Sequence, residues 1–98
     1  MQEITAKEVE LLLNEGKPVN IIDVRELAEV ATGKIPGAVN IPLGLIESYI
    51  HELDKSKEYI MVCRSGARSG RASNFLQSNG YHVTNMTGGI LAWEGEME

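Results

Sequence analysis

The stretch YIMVCRSGARSGRAS, residues 59–73, joins an apolar run directly to a polar segment that is rich in arginine. The run 59–63 is continuously apolar, which is typical of a strand buried on both faces of a parallel sheet. From Ser69 onwards the apolar residues recur at helical spacing. We therefore predict a strand that ends at Cys63, the only cysteine of the chain, followed by a short loop and a helix.

Patterns of helix and strand also alternate on both sides of this stretch. Upstream, Thr5 and Glu8 form a capping box that opens a helix, and Gly16 is its expected end. The remaining predicted elements are a strand at VNIIDV (19–24), a short helix at ELAEVATG (26–33), a very short strand within KIPGAVNIP (34–42), a helix with one apolar face at GLIESYIHEL (44–53), a strand at HVTNM (82–86), and a turn with a short helical segment at GGILAWEGE (88–96).

This alternation predicts an α/β domain with a mainly parallel central sheet and helices on both of its faces. The length of 98 residues predicts one domain over residues 1–98. Sites in such folds form beyond the carboxyl ends of the strands. Two predicted strands end there in polar or reactive residues, at Asp23 to Arg25 and at Cys63.

Composition limits the classes of function. The net charge of −5 argues against a general nucleic-acid-binding surface. No apolar run approaches the roughly 18 residues needed to span a membrane, and the first ten residues do not resemble a secretory signal. A single free thiol suits a reducing compartment. We therefore expect a cytoplasmic protein without nucleic-acid or membrane partners, and a monomer.

The charges are unevenly distributed along the chain. All 14 acidic residues lie within 1–58 or 94–98, whereas the segment 59–93 has none and contains Arg64, Arg68 and Arg71. This asymmetry predicts a local field around the thiol that attracts anions.

The loop after Cys63 has the features that activate a thiol. Its backbone N–H groups can form a concave anion site, and the N-terminus of the following helix adds partial positive charge. Gly66 permits the backbone angles of a tight ring. With Arg64 and Arg68 nearby, these effects should lower the pKa of Cys63 and make it a nucleophile. The alternative, a cysteine that only packs in the core, does not account for the two arginines and the glycine.

Four segments in order resemble the signatures of the rhodanese-like domain family in its small single-domain form: IIDVRE, GKIPGAVNIP, YIMVCRSGARS and GGILAW. The resemblance covers nearly the whole chain. It implies a sulfurtransferase that moves a sulfane sulfur from thiosulfate or a similar anionic donor to cyanide, a thiol or a protein acceptor, through a persulfide on Cys63 and without a metal or an organic cofactor. The implied substrate-binding loop consists of Arg64, Ser65, Gly66, Ala67, Arg68 and Ser69.

Lys34 stands where the family usually has histidine, which leaves the donor preference open.

Asp23 and Arg25 match the first signature of the family and could support the site, with Asp23 holding an arginine. We favour a structural ion pair or turn cap that fixes the strand-to-helix connection.

Two other functions remain open from the sequence. Cysteine-dependent phosphatases also place an arginine after the cysteine, but their loop is one residue longer than the four residues between Cys63 and Arg68. A non-catalytic protein-binding module of the same family is the second alternative, although such modules typically lack the loop cysteine.

Overall fold

A five-stranded, entirely parallel sheet forms the centre of the molecule. The computed structural model describes every residue from Met1 to Glu98. The strand order across the sheet is β1-β5-β4-β2-β3. The strands are β1 (Gln2–Thr5), β2 (Asn20–Asp23), β3 (Val39–Asn40), β4 (Glu58–Val62) and β5 (His82–Thr87). β4 therefore lies in the middle, paired with β2 on one side and β5 on the other.

Four α-helices connect the strands: α1 (Ala6–Asn14), α2 (Leu27–Val30), α3 (Ile46–Tyr49) and α4 (Ala67–Ser78). Short 3₁₀ segments occupy 43–45, 50–52 and 89–92. The predicted capping box opens α1, because the Glu8 N–H donates to the Thr5 hydroxyl and the Glu8 carboxylate accepts from the Thr5 N–H, both at 3.1 Å. No helix of the structure combines the length and the apolar character that crossing a bilayer requires.

The alternation of side chains along β4 divides the core into two layers. Tyr59, Met61 and Cys63 lie in a cluster of 11 buried residues that also includes Ala72 and Leu76 of α4. Val62 points to the opposite face, into a cluster of seven buried residues that includes Ala6 and Val9 of α1. The prediction of a parallel sheet covered on both faces is confirmed. Because Cys63 follows the same alternation, its side chain lies on the face that α4 covers.

Three local features differ from the sequence-based prediction. β1 was not predicted, since most of its residues are exposed and it forms only by parallel pairing with β5. The segment 44–53 is not one regular helix but consists of 3₁₀, α and 3₁₀ turns, with Leu45 and Tyr49 exposed. Finally, α4 begins at Ala67 rather than near Ser69, so Arg68 belongs to the first helical turn.

Candidate active site

The loop that follows β4 turns sharply from strand to helix. Gly66 is the N-terminal cap of α4 and has a φ of +105°, in the left-handed region. A residue with a Cβ would be strained there. A Cβ at this position would also lie 3.4 Å from the backbone nitrogen of Gly88, so the loop packs closely on the next connection. The sequence therefore specifies glycine at the tightest point of the turn.

The 3₁₀ segment 89–92 supports the outer side of this loop. The N–H groups of Ile90 and Leu91 donate to the carbonyl oxygens of Cys63 and Arg64, at 2.9 and 3.0 Å. Gly89 allows this approach, because a Cβ there would lie 2.5 Å from the Cys63 carbonyl oxygen. The carbonyl groups of the loop are thus engaged on one side, which leaves its N–H groups free to point to the other.

The Cys63 sulfur lies inside the loop and accepts hydrogen bonds from it. The Gly66 N–H donates to Sγ at 3.0 Å, and the Ser69 hydroxyl lies 3.3 Å from Sγ. Burial alone would raise the pKa of the thiol. The hydroxyl of Ser69 and the backbone N–H groups of Ser69, Gly66 and Ser65 act in the opposite direction and leave the pKa of Cys63 below its ordinary value. The arrangement favours a thiolate, the form of cysteine that acts as a nucleophile.

The three arginines of the segment have different environments. Arg64 is exposed and takes part in no ion pair of the structure, and Arg71 is exposed as well. Arg68 forms a two-pronged ion pair with the Glu29 carboxylate of α2, with N–O distances of 2.7 and 2.8 Å. The hydrogen bonds from Arg68 lower the pKa of Glu29 to about 2, and the same pairing raises the pKa of Arg68. Arg64 and Arg71 therefore both lack an acidic partner, and Arg64 is the one that belongs to the loop.

Asp23 and Arg25 form a second ion pair at the end of β2. Both Asp23 oxygens accept from the Arg25 guanidinium, at 2.8 to 3.0 Å, and the Arg25 N–H donates to the same carboxylate. The guanidinium also donates to the carbonyl oxygens of Gly33, at 2.8 Å, and of Glu29, at 3.4 Å. Arg25 therefore fixes α2 and the turn that follows it, and so positions Glu29 next to Arg68.

The remaining predicted residues of the loop, Ser65 and Ala67, are exposed. Lys34 donates to the Ala38 carbonyl oxygen at 3.1 Å and forms an ion pair with Glu98, so its charge is already neutralised.

A groove of about 460 Å³ lies between α2 and the segment 89–92. It is of the size that small-molecule sites commonly have. The residues that line it are Arg25, Ala28, Glu29, Thr32, Arg64, Ile90 and Leu91.

Sequence reasoning missed two residues that contact the site. Glu29 lies 39 positions before Arg68, and nothing in the sequence indicates that the two meet. Asn85 of β5 is buried, and its side chain contacts both Ser69 and Gly66. A signal for Asn85 does exist, since it lies two residues after Val83 and thus on the same core-facing side of the strand. A polar residue at a core position usually has a specific partner.

Comparison with known proteins identifies the family. The family model for the Rhodanese-like domain matches residues 5–96. The "Putative sulfurtransferase YtwF" of Bacillus subtilis is 42% identical over 96 residues, covering 98% of this chain and 93% of that protein. A sulfurtransferase of Allochromatium vinosum is 38% identical, covering 95% of this chain and 88% of its own length. The crystal structure of a rhodanese-like domain protein from Staphylococcus aureus superposes with a TM-score of 0.94 at 39% identity, covering 100% of this chain and 97% of that one. The chain belongs to the rhodanese-like domain family.

Proposed function

We propose that the protein is a sulfurtransferase that carries sulfur as a persulfide on Cys63, taking it from thiosulfate or a similar anionic donor and passing it to cyanide or a thiol. Relatives named as sulfurtransferases at 38% to 42% identity support transfer of sulfur in general. The thiosulfate-like donor and the covalent intermediate are what the family resemblance implies, and the chemistry of the loop agrees with both.

In the first step the Cys63 thiolate attacks the outer sulfur of thiosulfate. A bond forms between Sγ and that sulfur, and the bond to the sulfonate sulfur breaks, with its electron pair leaving on sulfite. The enzyme keeps one sulfur atom and one negative charge as a persulfide anion, while a sulfite dianion departs. No proton, external oxidant or cofactor is needed to balance this step.

In the second step the acceptor attacks the outer sulfur of the persulfide. With cyanide, a carbon–sulfur bond forms and the electron pair of the sulfur–sulfur bond returns to Sγ, which gives thiocyanate and the original thiolate. Such a sequence passes through a covalent enzyme intermediate and should show ping-pong kinetics.

The environment of the Cys63 sulfur carries this proposal. The Gly66 N–H at 3.0 Å is a preorganised donor to an anionic sulfur at the N-terminus of α4, and the Ser69 hydroxyl at 3.3 Å is a second group that can donate to it. Donors fixed in advance stabilise charge without reorganising during the reaction. The exposed charge of Arg64 would attract a dianionic donor to the rim of the loop.

Neither alternative is favoured by an observation in the structure. A phosphatase needs an arginine free to clamp the phosphoryl group, whereas Arg68 is held by Glu29. A non-catalytic binding module would not require a cysteine thiol whose pKa is lowered by its own loop. The cytoplasmic location, the monomeric state and the choice of a protein as acceptor stay predictions.

Intact-mass measurement tests the proposal directly. Because Cys63 is the only cysteine, a mass increase of one sulfur atom after mixing with thiosulfate can be assigned to it. We expect the increase to disappear when cyanide is added, with thiocyanate appearing in equal amount.

The matched control is Cys63→Ser, which should show neither the mass increase nor turnover, since this loop cannot ionise a hydroxyl. If the wild-type mass stays constant with thiosulfate, mercaptopyruvate and a polysulfide, the persulfide mechanism is wrong and the binding module becomes the better explanation.

A further inference from the structure

The side-chain amide of Asn85 is a buried polar group next to the loop that has no role in the proposed reaction. It is 4% exposed and lies on the face of β5 that packs against α4. Its Oδ1 lies 2.5 Å from the Ser69 hydroxyl oxygen, and its Nδ2 donates to the Gly66 carbonyl oxygen at 3.1 Å. Asn85 forms no hydrogen bond with the Cys63 sulfur, but it is hydrogen-bonded to two of the residues that do.

The hydrogen atoms around Ser69 cannot satisfy all of these contacts at once. A serine hydroxyl carries one hydrogen. Three acceptors lie within reach of it: Asn85 Oδ1 at 2.5 Å, Cys63 Sγ at 3.3 Å and the Gly66 carbonyl oxygen at 3.3 Å. The Gly66 carbonyl already accepts from the Gly70 N–H at 3.0 Å and from Asn85. The real competition is therefore between the amide oxygen of Asn85 and the sulfur.

The charge of the sulfur decides this competition. An anionic sulfur accepts a charge-assisted hydrogen bond, which is stronger than one between neutral groups. A neutral sulfur is a weak acceptor, so the hydroxyl hydrogen then belongs on the Asn85 oxygen at the shorter distance. The inner sulfur of a persulfide is also neutral, because the negative charge has moved to the outer atom.

We propose that Asn85 is a positioning residue that competes with the Cys63 sulfur for the single hydroxyl hydrogen of Ser69, and that it holds this hydrogen whenever the sulfur is neutral. The amide thus keeps a buried hydroxyl satisfied in the thiol and persulfide states. Since it stabilises the neutral states and not the thiolate, it limits how far the loop favours ionisation. The persulfide part rests on the proposed function, whereas the thiolate part does not.

The charged groups of the elements around the thiol form no ion pair or hydrogen bond with Asn85. Arg64 follows Cys63 in the loop, Arg68 of α4 is paired with Glu29 of α2, and the Asp23–Arg25 pair lies at the end of β2. The segment 89–92 has no ionisable side chain, and the only one on β5 is His82, at the opposite end of that strand. A substitution of Asn85 therefore removes its amide without directly removing a charge or an ion pair.

The decisive measurement is the pH dependence of alkylation of Cys63 by iodoacetamide, which needs no sulfur donor. Asn85→Leu retains a similar volume but offers no acceptor, so the Ser69 hydroxyl is free for the sulfur. We expect the midpoint of the profile to fall by roughly half to one pH unit, the value of one ordinary hydrogen bond. Ser69→Ala should shift it the opposite way.

A double-mutant cycle separates this mechanism from a merely structural role. In a Ser69→Ala background, Asn85→Leu should leave the midpoint unchanged, because the hydrogen in question is gone. The proposal is overturned if Asn85→Leu raises the alkylation midpoint or leaves it unchanged in the wild-type background. It is also overturned if Asn85→Leu shifts the midpoint equally in both backgrounds. Failure to form a persulfide would contradict the proposed function but would leave this result intact.

Two further measurements cover the case in which the leucine variant does not fold. Asn85→Ala, which cannot introduce a clash, should move the midpoint in the same direction, and a shift upwards would contradict the proposal. In the wild-type protein, the NMR chemical shift of the Asn85 side-chain amide should change as the pH passes through the alkylation midpoint. This change should vanish in Ser69→Ala. A resonance that stays constant, or that responds equally without the hydroxyl, overturns the proposal.

Discussion

Two arginine–carboxylate pairs lie at the carboxyl edge of the sheet, and they differ chiefly in their exposure to solvent. In the Arg25–Asp23 pair the side chains are 5% and 1% exposed, whereas in the Arg68–Glu29 pair they are 29% and 31% exposed. In both pairs the two carboxylate oxygens accept short hydrogen bonds from the guanidinium. The bond lengths of the two pairs are similar, but the loss of free energy of unfolding on breaking each pair should be very different.

The difference follows from what each partner would face if the other were removed. An uncompensated charge in the interior cannot reach water, so breaking a buried pair is strongly destabilising. A half-exposed charge regains hydration when its partner leaves, and surface pairs contribute little to stability. The buried Arg25–Asp23 pair, here called the inner pair, is therefore suited to stabilising the edge of the sheet. The partly exposed Arg68–Glu29 pair, here called the outer pair, is suited to controlling the charge next to the thiol.

The largest expected effect is that of Asp23→Ala on stability. It leaves the Arg25 guanidinium buried without its carboxylate, which should cost about 3–5 kcal/mol of the free energy of unfolding. Glu29→Ala should cost about 1 kcal/mol or less. Chemical denaturation of the two variants at neutral pH, compared with the wild type, measures both values.

Asp23→Asn serves as a matched control, because it keeps the shape and one acceptor oxygen while removing the charge. Its cost should fall between those of the other two variants. If Asp23→Ala costs no more than Glu29→Ala, burial does not distinguish the pairs and the comparison fails.

A smaller effect is expected on the thiosulfate KM. Arg64→Ala removes the unpaired charge at the loop and should raise KM about fivefold, equivalent to about 1 kcal/mol of electrostatic attraction. Added salt should reduce the difference, because it screens charges at the surface. Steady-state kinetics at low and high ionic strength measure this.

The control is to remove the outer pair as a unit. Arg68→Ala alone leaves the Glu29 carboxylate uncompensated and should also raise KM, whereas the double variant Arg68→Ala with Glu29→Ala should return towards the wild-type value. If Arg64→Ala leaves KM unchanged, the electrostatic account of donor binding is wrong.

The smallest effect is a pH dependence of stability through Glu29. Its pKa is lowered to about 2 in the folded protein, against roughly 4.3 for an unperturbed glutamate. A lowered pKa stabilises the fold above the unfolded value, and this contribution is lost as the pH falls towards the folded value. The stability difference between wild type and Glu29→Gln should therefore be constant near neutrality and should shrink in acid.

We expect that difference to stay below about 1 kcal/mol, since the pair is partly exposed. Glu47→Gln, which removes an exposed glutamate outside every ion pair of the structure, is the matched control and should show no such convergence. A difference that grows on acidification would mean that the sign of the Glu29 contribution is wrong.

Much of the fold was predictable because its signals are local. The capping box at Thr5, the apolar run 59–63 and the glycine at position 66 each specify their own conformation. β1 was missed because its exposed residues show no alternation and its pairing partner lies more than 75 residues away. The segment 44–53 was misjudged because its apolar residues have helical spacing but occupy separate short turns.

The candidate site was predictable where its residues adjoin Cys63 and not where they arrive from other elements. The loop 64–69 is contiguous with the nucleophile, so its role could be proposed from chemistry alone. Glu29 and Asn85 reach the loop from α2 and β5. Their positions depend on how those elements pack, and this is why the sequence could not show that Arg68 would be neutralised.

The complete burial of Cys63 affects which of the two sulfur atoms of a persulfide an acceptor can attack. Sγ lies at the base of the loop and has no exposed surface. A sulfur atom added to it would be the outer of the two and the nearer to solvent. An incoming nucleophile would therefore meet that atom first and carry it away to the acceptor. In the persulfide the added atom would stand on the path by which a donor reaches Sγ in the free enzyme. Attack on the inner sulfur, which would release sulfide and leave a mixed disulfide on Cys63, is therefore disfavoured.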